Sequence, residues 1–332
     1  MSMEFLSRSV LGAPAAVLAW IGRQGPRAVA ALIVIGIVMP PIGALLKPFV
    51  TEAVFVLLCI AFLRVDTAAF RIYLGRPTIV LAAIAWTSLV IPILFGASYL
   101  AFGIKEQSPD LFLALVLQAI ASPLMAAPVF ATLMGLDATL VLITLVTSTA
   151  LLPFTAPLFA YAFIGPALTL SPLALGLKLF AILAGSALVG FTLRRIAGLT
   201  AIERQKERID GFNILILFVF IAAVMESVAA RFLATPMITI GLLALAFVVF
   251  FAELCLTTLL FTSAGRERAL TLGFMASQRN VGLMLAATGG ALPDLTWLYF
   301  AFCYIPIYFS PLLLQPLVRR FVARVQTTPT SG

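Results

Sequence analysis

The chain has 332 residues, 63% of them hydrophobic and 10% charged, with a formal net charge of +8 and no histidine. Soluble domains carry about 25% charged residues, so this composition excludes an ordinary water-soluble fold. The lack of histidine excludes histidine-based catalysis and histidine metal ligands.

Apolar runs of about 20 residues, the length of a bilayer-spanning helix, recur from end to end. They do not alternate as the strands of a membrane barrel would. The basic residues sit in scattered loops rather than on one soluble face, so no nucleic-acid partner is expected. Cys59, Cys255 and Cys303 lie inside apolar runs and read as buried small hydrophobes.

Residues 1–24 predict an interfacial helix lying on the membrane. Glu4 and the missing small-x-small site argue against a signal peptide. Spans follow at 27–46, 49–64, 77–103, 110–134, 138–164, 173–193, 211–230, 236–262, 269–290 and 295–318. They are helices, because in lipid only helices and closed barrels satisfy every backbone group. Residues 321–332 read as a tail.

Of the 21 lysines and arginines, Lys47, Lys105, Lys178 and Arg231 fall on one side of these spans and Arg279 falls within one. The rest share the other side. Cytoplasmic loops carry the excess of basic residues, so both termini are expected in the cytoplasm.

The ten spans divide into five and five, 25–165 and 166–320. A repeat with an odd number of spans inserts upside down relative to its copy. The fourth member of each half is interrupted, at 119–137 and 274–290, as in inverted-repeat secondary transporters. Ser122-Pro123 marks the first break and Pro128 repeats the effect. Arg279, beside Ser277, Gln278 and Asn280, falls in the second. An unpaired arginine at bilayer depth costs roughly 3 kcal/mol. Three readings stand: a contact for an anionic substrate, a structural cation paired with an internal carboxylate or freed carbonyls, or an interfacial arginine that snorkels. Glu253 is the acid most clearly inside a span and the best candidate for pairing with Arg279 or carrying a proton. Asp137 reads as a helix N-cap.

Together these segments resemble the bile acid:sodium symporter superfamily. In GLDATLVLITLVTSTALLPFTAPL, Asp137, Ser148, Thr149, Pro153 and Pro157 fit the family pattern. Asn280-Val281-Gly282-Leu283 resembles its Gln-Asn-x-Gly-Leu stretch, and LRVDTAAFR at 63–71 its loop after the second span. The resemblance covers roughly residues 27–318. It implies an all-α membrane protein of ten helices in two inverted repeats, with helices 4 and 9 broken and crossing in a core domain beside a panel domain, working by alternating access. The candidate substrate-binding residues are Thr87, Ser122, Thr147, Ser148, Thr149, Ser277, Gln278, Arg279 and Asn280.

The departures are specific. The family's sodium-ligand positions fall on Ala127, Pro128, Val141, Leu145 and Met275; in a second register the glutamate position falls on Phe274. Family glutamines fall on Thr87 and, in the first register, Arg279. Apolar side chains cannot ligate sodium, and a fixed positive charge repels it.

The leading reading is a secondary transporter of a small organic, anionic solute in a bacterial-type inner membrane, with the usual sodium sites dismantled. Proton coupling and uniport are both open, as is sodium coupling through a non-standard site. A channel has little use for inverted, broken halves. A membrane sensor on the same fold is not excluded by the sequence. An intramembrane enzyme lacks the histidines or paired aspartates it would need. Arsenite carriers of the superfamily are expected to hold a cysteine in the first broken helix, where none lies. The partners expected are the solute and membrane lipids; no cofactor or metal is implied.

Overall fold

A computed structural model describes residues 14–65 (15 and 25 apart), 77–165, 171–289 and 292–326. Most of the proposed interfacial helix, residues 66–71 of the LRVDTAAFR segment and the last six residues lie outside these. The described residues are helices joined by short turns and breaks, with no strand; the one sheet-like feature among them is an isolated antiparallel bridge between Pro123 and Arg279. Among the described residues, seven helices are long and apolar enough to cross a membrane: Pro40–Leu63, Pro77–Ala101, Ala138–Ile164, Pro172–Ala197, Lys206–Ala234, Pro236–Leu260 and Asp294–Pro316.

Proline opens many of these helices. Pro40, Pro109, Pro128 and Pro236 each sit in a first turn, where the missing N–H has no partner to lose. Pro128 therefore starts the second half of its interrupted helix instead of making a second break.

The chain packs into two compact units. One holds residues 1–65 and 182–233, the other 66–181 and 234–332. Each takes segments from both halves of the sequence, so the packing units cut across the division at residue 165.

The first unit contains α1 (Pro26–Val38), α2 (Pro40–Leu46) and α3 (Val50–Leu63). They pack on α10 (Lys206–Met225). Ion pairs fix the directions. Arg23 meets Glu207 at 2.9 Å, Lys47 meets Glu226 at 3.1 Å, and Arg64 returns to Asp210 at 2.7 Å. Residues 26–46 thus run along α10 and 50–63 run back, so the helical stretch Pro40–Leu63 is bent through a hairpin at Lys47–Phe49. Gly43 permits the approach: a Cβ there would lie 2.4 Å from the carbonyl oxygen of Ala222. The described part of the N-terminal helix, 16–24, joins the same assembly through Arg23.

The second unit is built from α4 (Pro77–Ala85), a π-turn at Trp86–Val90, α5 (Ile91–Ala101), α6 (Pro109–Ile120), α7 (Ala127–Met134) and α8 (Ala138–Phe159). The first turns of α9 (Pro172–Ala197) add to it, followed by α12 (Pro236–Leu260), α13 (Arg266–Ser277), α14 (Val281–Thr288) and α15 (Asp294–Gln326); α11 (Val228–Ala234), up to residue 233, belongs to the first unit. Asp137 caps α8, its carboxylate accepting from the Leu140 N–H at 3.0 Å, as the sequence predicts. Helix α15 continues to residue 326, past the span end at 318, so residues 321–326 of the expected tail are helical. Cys59 and Cys303 are buried, but Cys255 lies on an exposed face of α12, against the expectation that all three are core residues.

Candidate functional site: a buried arginine–glutamate pair at two helix breaks

Both interrupted helices break where the sequence places polar and proline residues. α6 stops at Ile120 because Ala121 is extended and Pro123 follows; α7 begins at Ala127. α13 ends at Ser277 and α14 begins at Val281. Asn280 caps α14, its side-chain oxygen accepting from the Leu283 N–H at 3.1 Å. The two breaks then complete each other. The Asn280 N–H donates to the Ser122 carbonyl at 2.8 Å, and the Leu124 N–H donates to the Gln278 carbonyl. Peptide groups that the helices leave open are satisfied across the crossing, as a non-helical segment buried in protein requires.

Arg279 stands at the crossing, and its side chain is fully buried. Its Nε donates to Glu253 Oε2 at 3.1 Å. Its Nη1 donates to the Ala121 carbonyl at 2.8 Å and reaches the Thr87 carbonyl at 3.5 Å, the outer limit of a hydrogen bond. Both carbonyls are open for identifiable reasons. Ala121 sits in the break. At the π-turn, the Ile91 N–H reaches back five residues to Trp86, and Pro92, which would serve Thr87 in that register, has no N–H. The guanidinium is thus held by one carboxylate and by carbonyls from two other elements. An arginine that snorkels to an interface is ruled out by this burial.

Glu253 lies in the C-terminal third of α12 and is also fully buried. It meets Arg279 because α12 and α13 pack at very short range. A Cβ at Gly273 would lie 2.0 Å from Thr258 Oγ1 and 2.6 Å from the Leu254 carbonyl oxygen, so only glycine fits. Two polar atoms of the pair, Glu253 Oε1 and Arg279 Nη2, have no hydrogen-bond partner among the described residues.

The remaining candidates divide. Gln278 joins the cluster, its side-chain Nε2 donating to the Ser310 hydroxyl at 3.0 Å and its side-chain Oε1 unpartnered among the described residues. Thr87 and Ser122 join through their backbone carbonyls, while both hydroxyls are buried without partners. Ser277 turns its hydroxyl to the Phe274 carbonyl of its own helix, and Thr147 likewise bonds Ile143. Ser148 and Thr149 are buried on α8, which packs against α13 and the π-turn, but no hydrogen bond ties them to Arg279.

The five positions that the resemblance aligns with sodium ligands lie in apolar packing. Ala127, Val141, Leu145 and Met275 are buried; Pro128 is half-buried.

Several members of the polar interior escape the sequence reading. Tyr299 donates to Gln118 at 2.7 Å, and Trp86 donates to Thr257 at 2.8 Å. Gln118, a lone amide in the apolar run of α6, was the available signal for the first. Trp86 also lines a groove of about 540 Å³ with Ala82, Val90, Leu260 and Ala264. That groove is apolar and does not contain the Arg279–Glu253 pair.

What the arrangement can do is limited by charge. Arginine and glutamate cancel, so the pair is electrically neutral while holding one free donor, Nη2, and one free acceptor, Oε1. No protein-family model and no curated protein matches the chain.

Proposed function

We propose that the protein is a secondary transporter that moves a small organic anion by alternating access, without sodium. The observation that carries this reading is the crossing of two interrupted helices, hydrogen-bonded break to break, around a buried charge pair. Interrupted helices at matching places in two halves are a device of inverted-repeat transporters, where binding sites lie at the breaks. The ten crossings of this reading are the seven long helices, one more for the hairpin at Lys47–Phe49, and the two interrupted helices. Both units draw on both halves of the chain, as interlocked repeats do.

In the resemblance to bile acid:sodium symporters, sodium binds near this crossing. Here the guanidinium of Arg279 bridges the Ala121 and Thr87 carbonyls and the Glu253 carboxylate, which is the bracing work a coupling cation would do. Ala127, Val141, Leu145 and Met275 offer sodium no side-chain oxygen at the aligned ligand positions. The organic solute engages the polar interior around Arg279 Nη2, Ser122 and Gln278. The test is uptake of labelled organic anions by proteoliposomes, with protein-free liposomes as control. Saturable, protein-dependent uptake of any of them supports transport; tight binding without uptake assigns the protein to the sensors instead.

A further inference from the structure

We propose that Glu253 is a proton site tied to the anion: a single proton enters Glu253 for each univalent anion that engages Arg279, making the transport electroneutral proton–anion symport. This rests on the transport reading above and specifies its coupling.

The geometry of the pair carries the inference. The Nε and Nη2 hydrogens of an arginine lie side by side on one edge of its plane, and a carboxylate commonly grips that edge with both oxygens. Glu253 grips half of it. Oε2 accepts from Nε, while Oε1 and Nη2 are both buried with no partner among the described residues. A purely structural pair would gain by closing the second contact. The offset leaves Nη2 free for an oxygen of an incoming anion. The unpartnered hydroxyls of Thr87, Ser88 and Ser122 are further buried donors in this unit. Thr87 and Ala121, the neighbour of Ser122, supply the carbonyls that hold Nη1.

Charge then fixes the stoichiometry. Arginine and glutamate together are neutral. An anion added alone would leave a net negative charge in a low-dielectric interior, which is strongly unfavourable. A proton added to Oε1 restores neutrality. The neutral acid keeps Oε2 as an acceptor for Nε, so Arg279 stays in place. The proton comes from the aqueous phase on the loading side, forms one O–H bond, and leaves when the anion leaves. The ionisable groups that face Glu253 are Arg279 at the crossing, Tyr99 from α5, and Tyr299 and Cys303 from α15. Tyrosine and cysteine are ordinarily neutral at pH 7, so none of the other three neutralises the anion.

The test uses the full chain in proteoliposomes with pyruvate and benzenesulfonate as probes; the second is a permanent anion that does not cross a bilayer as a neutral acid. External acid should drive accumulation by about tenfold per pH unit at equilibrium. A potassium–valinomycin potential at equal pH should leave the initial rate unchanged. A trapped pH dye should report one proton per anion. In Glu253→Gln the pair's partner is permanently neutral. Uptake should persist, lose its response to pH gradients and become sensitive to the potential. Wild-type uptake that follows the potential and ignores pH would overturn the proposal while leaving transport standing. So would Glu253→Gln vesicles that still take up a proton with each anion. Should Glu253→Gln fail to fold, the wild-type stoichiometry decides alone. If neither probe moves or binds, the transport reading fails and this one falls with it.

Discussion

Arg279 and Glu253 should depend on each other for stability. Removing one partner of a buried pair leaves an uncompensated charge and typically costs about 3–5 kcal/mol, whereas replacing both can be close to neutral. Arg279→Gln restores the residue type expected from the resemblance, but it leaves Glu253 alone in the interior. We therefore expect Arg279→Gln to lower the unfolding temperature in detergent markedly, and Arg279→Gln/Glu253→Gln to recover most of the loss. A single variant as stable as the parent would mean that the pair is not held as described. The pairing itself was legible in the sequence. Arg279 is the one basic residue at the middle of a span, and Glu253 is the acid most clearly inside one. What could not be read was the rest of the guanidinium's support, because carbonyls carry no sequence signature. Pro92, five residues after Thr87, was the available clue. Hydroxyls were misleading for a related reason. Ser277 and Thr147 sit among the candidates by position, yet each bonds its own helix, a local choice open to any serine or threonine in a helix.

At the scale of elements, the contact between α12 and α13 sets the site. Gly273→Ala would drive a methyl group into Thr258 Oγ1 and the Leu254 carbonyl, one residue from Glu253. Overpacking of this kind costs about 1–3 kcal/mol. We expect Gly273→Ala to destabilise the protein by that order in a denaturant titration; Gly241, with open space around it, should tolerate alanine. If the two substitutions have equal effects, the close approach is not as drawn. Asn280→Ala removes the cap of α14 and should cost about 1 kcal/mol. The breaks themselves were readable from Ser122-Pro123 and from the polar run at 277–280. That they hydrogen-bond to each other was not, since the two segments are more than 150 residues apart in sequence. The role of Pro128 was read with the wrong sign for the same reason that proline is ambiguous: it ends a helix from within and begins one from its first turn.

Across the whole molecule, composition and run length made the helical membrane class legible before any packing was known. The two packing units were not, because a linear reading divides the chain at its middle while each unit takes pieces from both halves. Helix ends marked by proline and by Asp137 were recovered closely. The end of α15 was not, because nothing stops a helix at 318 when basic residues also favour a helix C-terminus. A ligand that binds only the folded state raises its melting temperature by mass action. Sodium should therefore leave the melting temperature where equimolar potassium leaves it.

The central claim is that a fixed guanidinium stands where a coupling cation would otherwise bind. It is tested most directly by uptake of a transported organic anion into proteoliposomes under an inward sodium gradient, with choline replacing sodium in the parallel sample. The account predicts equal initial rates and equal final accumulation in the two. Accumulation that requires the sodium gradient and collapses in choline would contradict it, and would place a sodium site elsewhere in the chain.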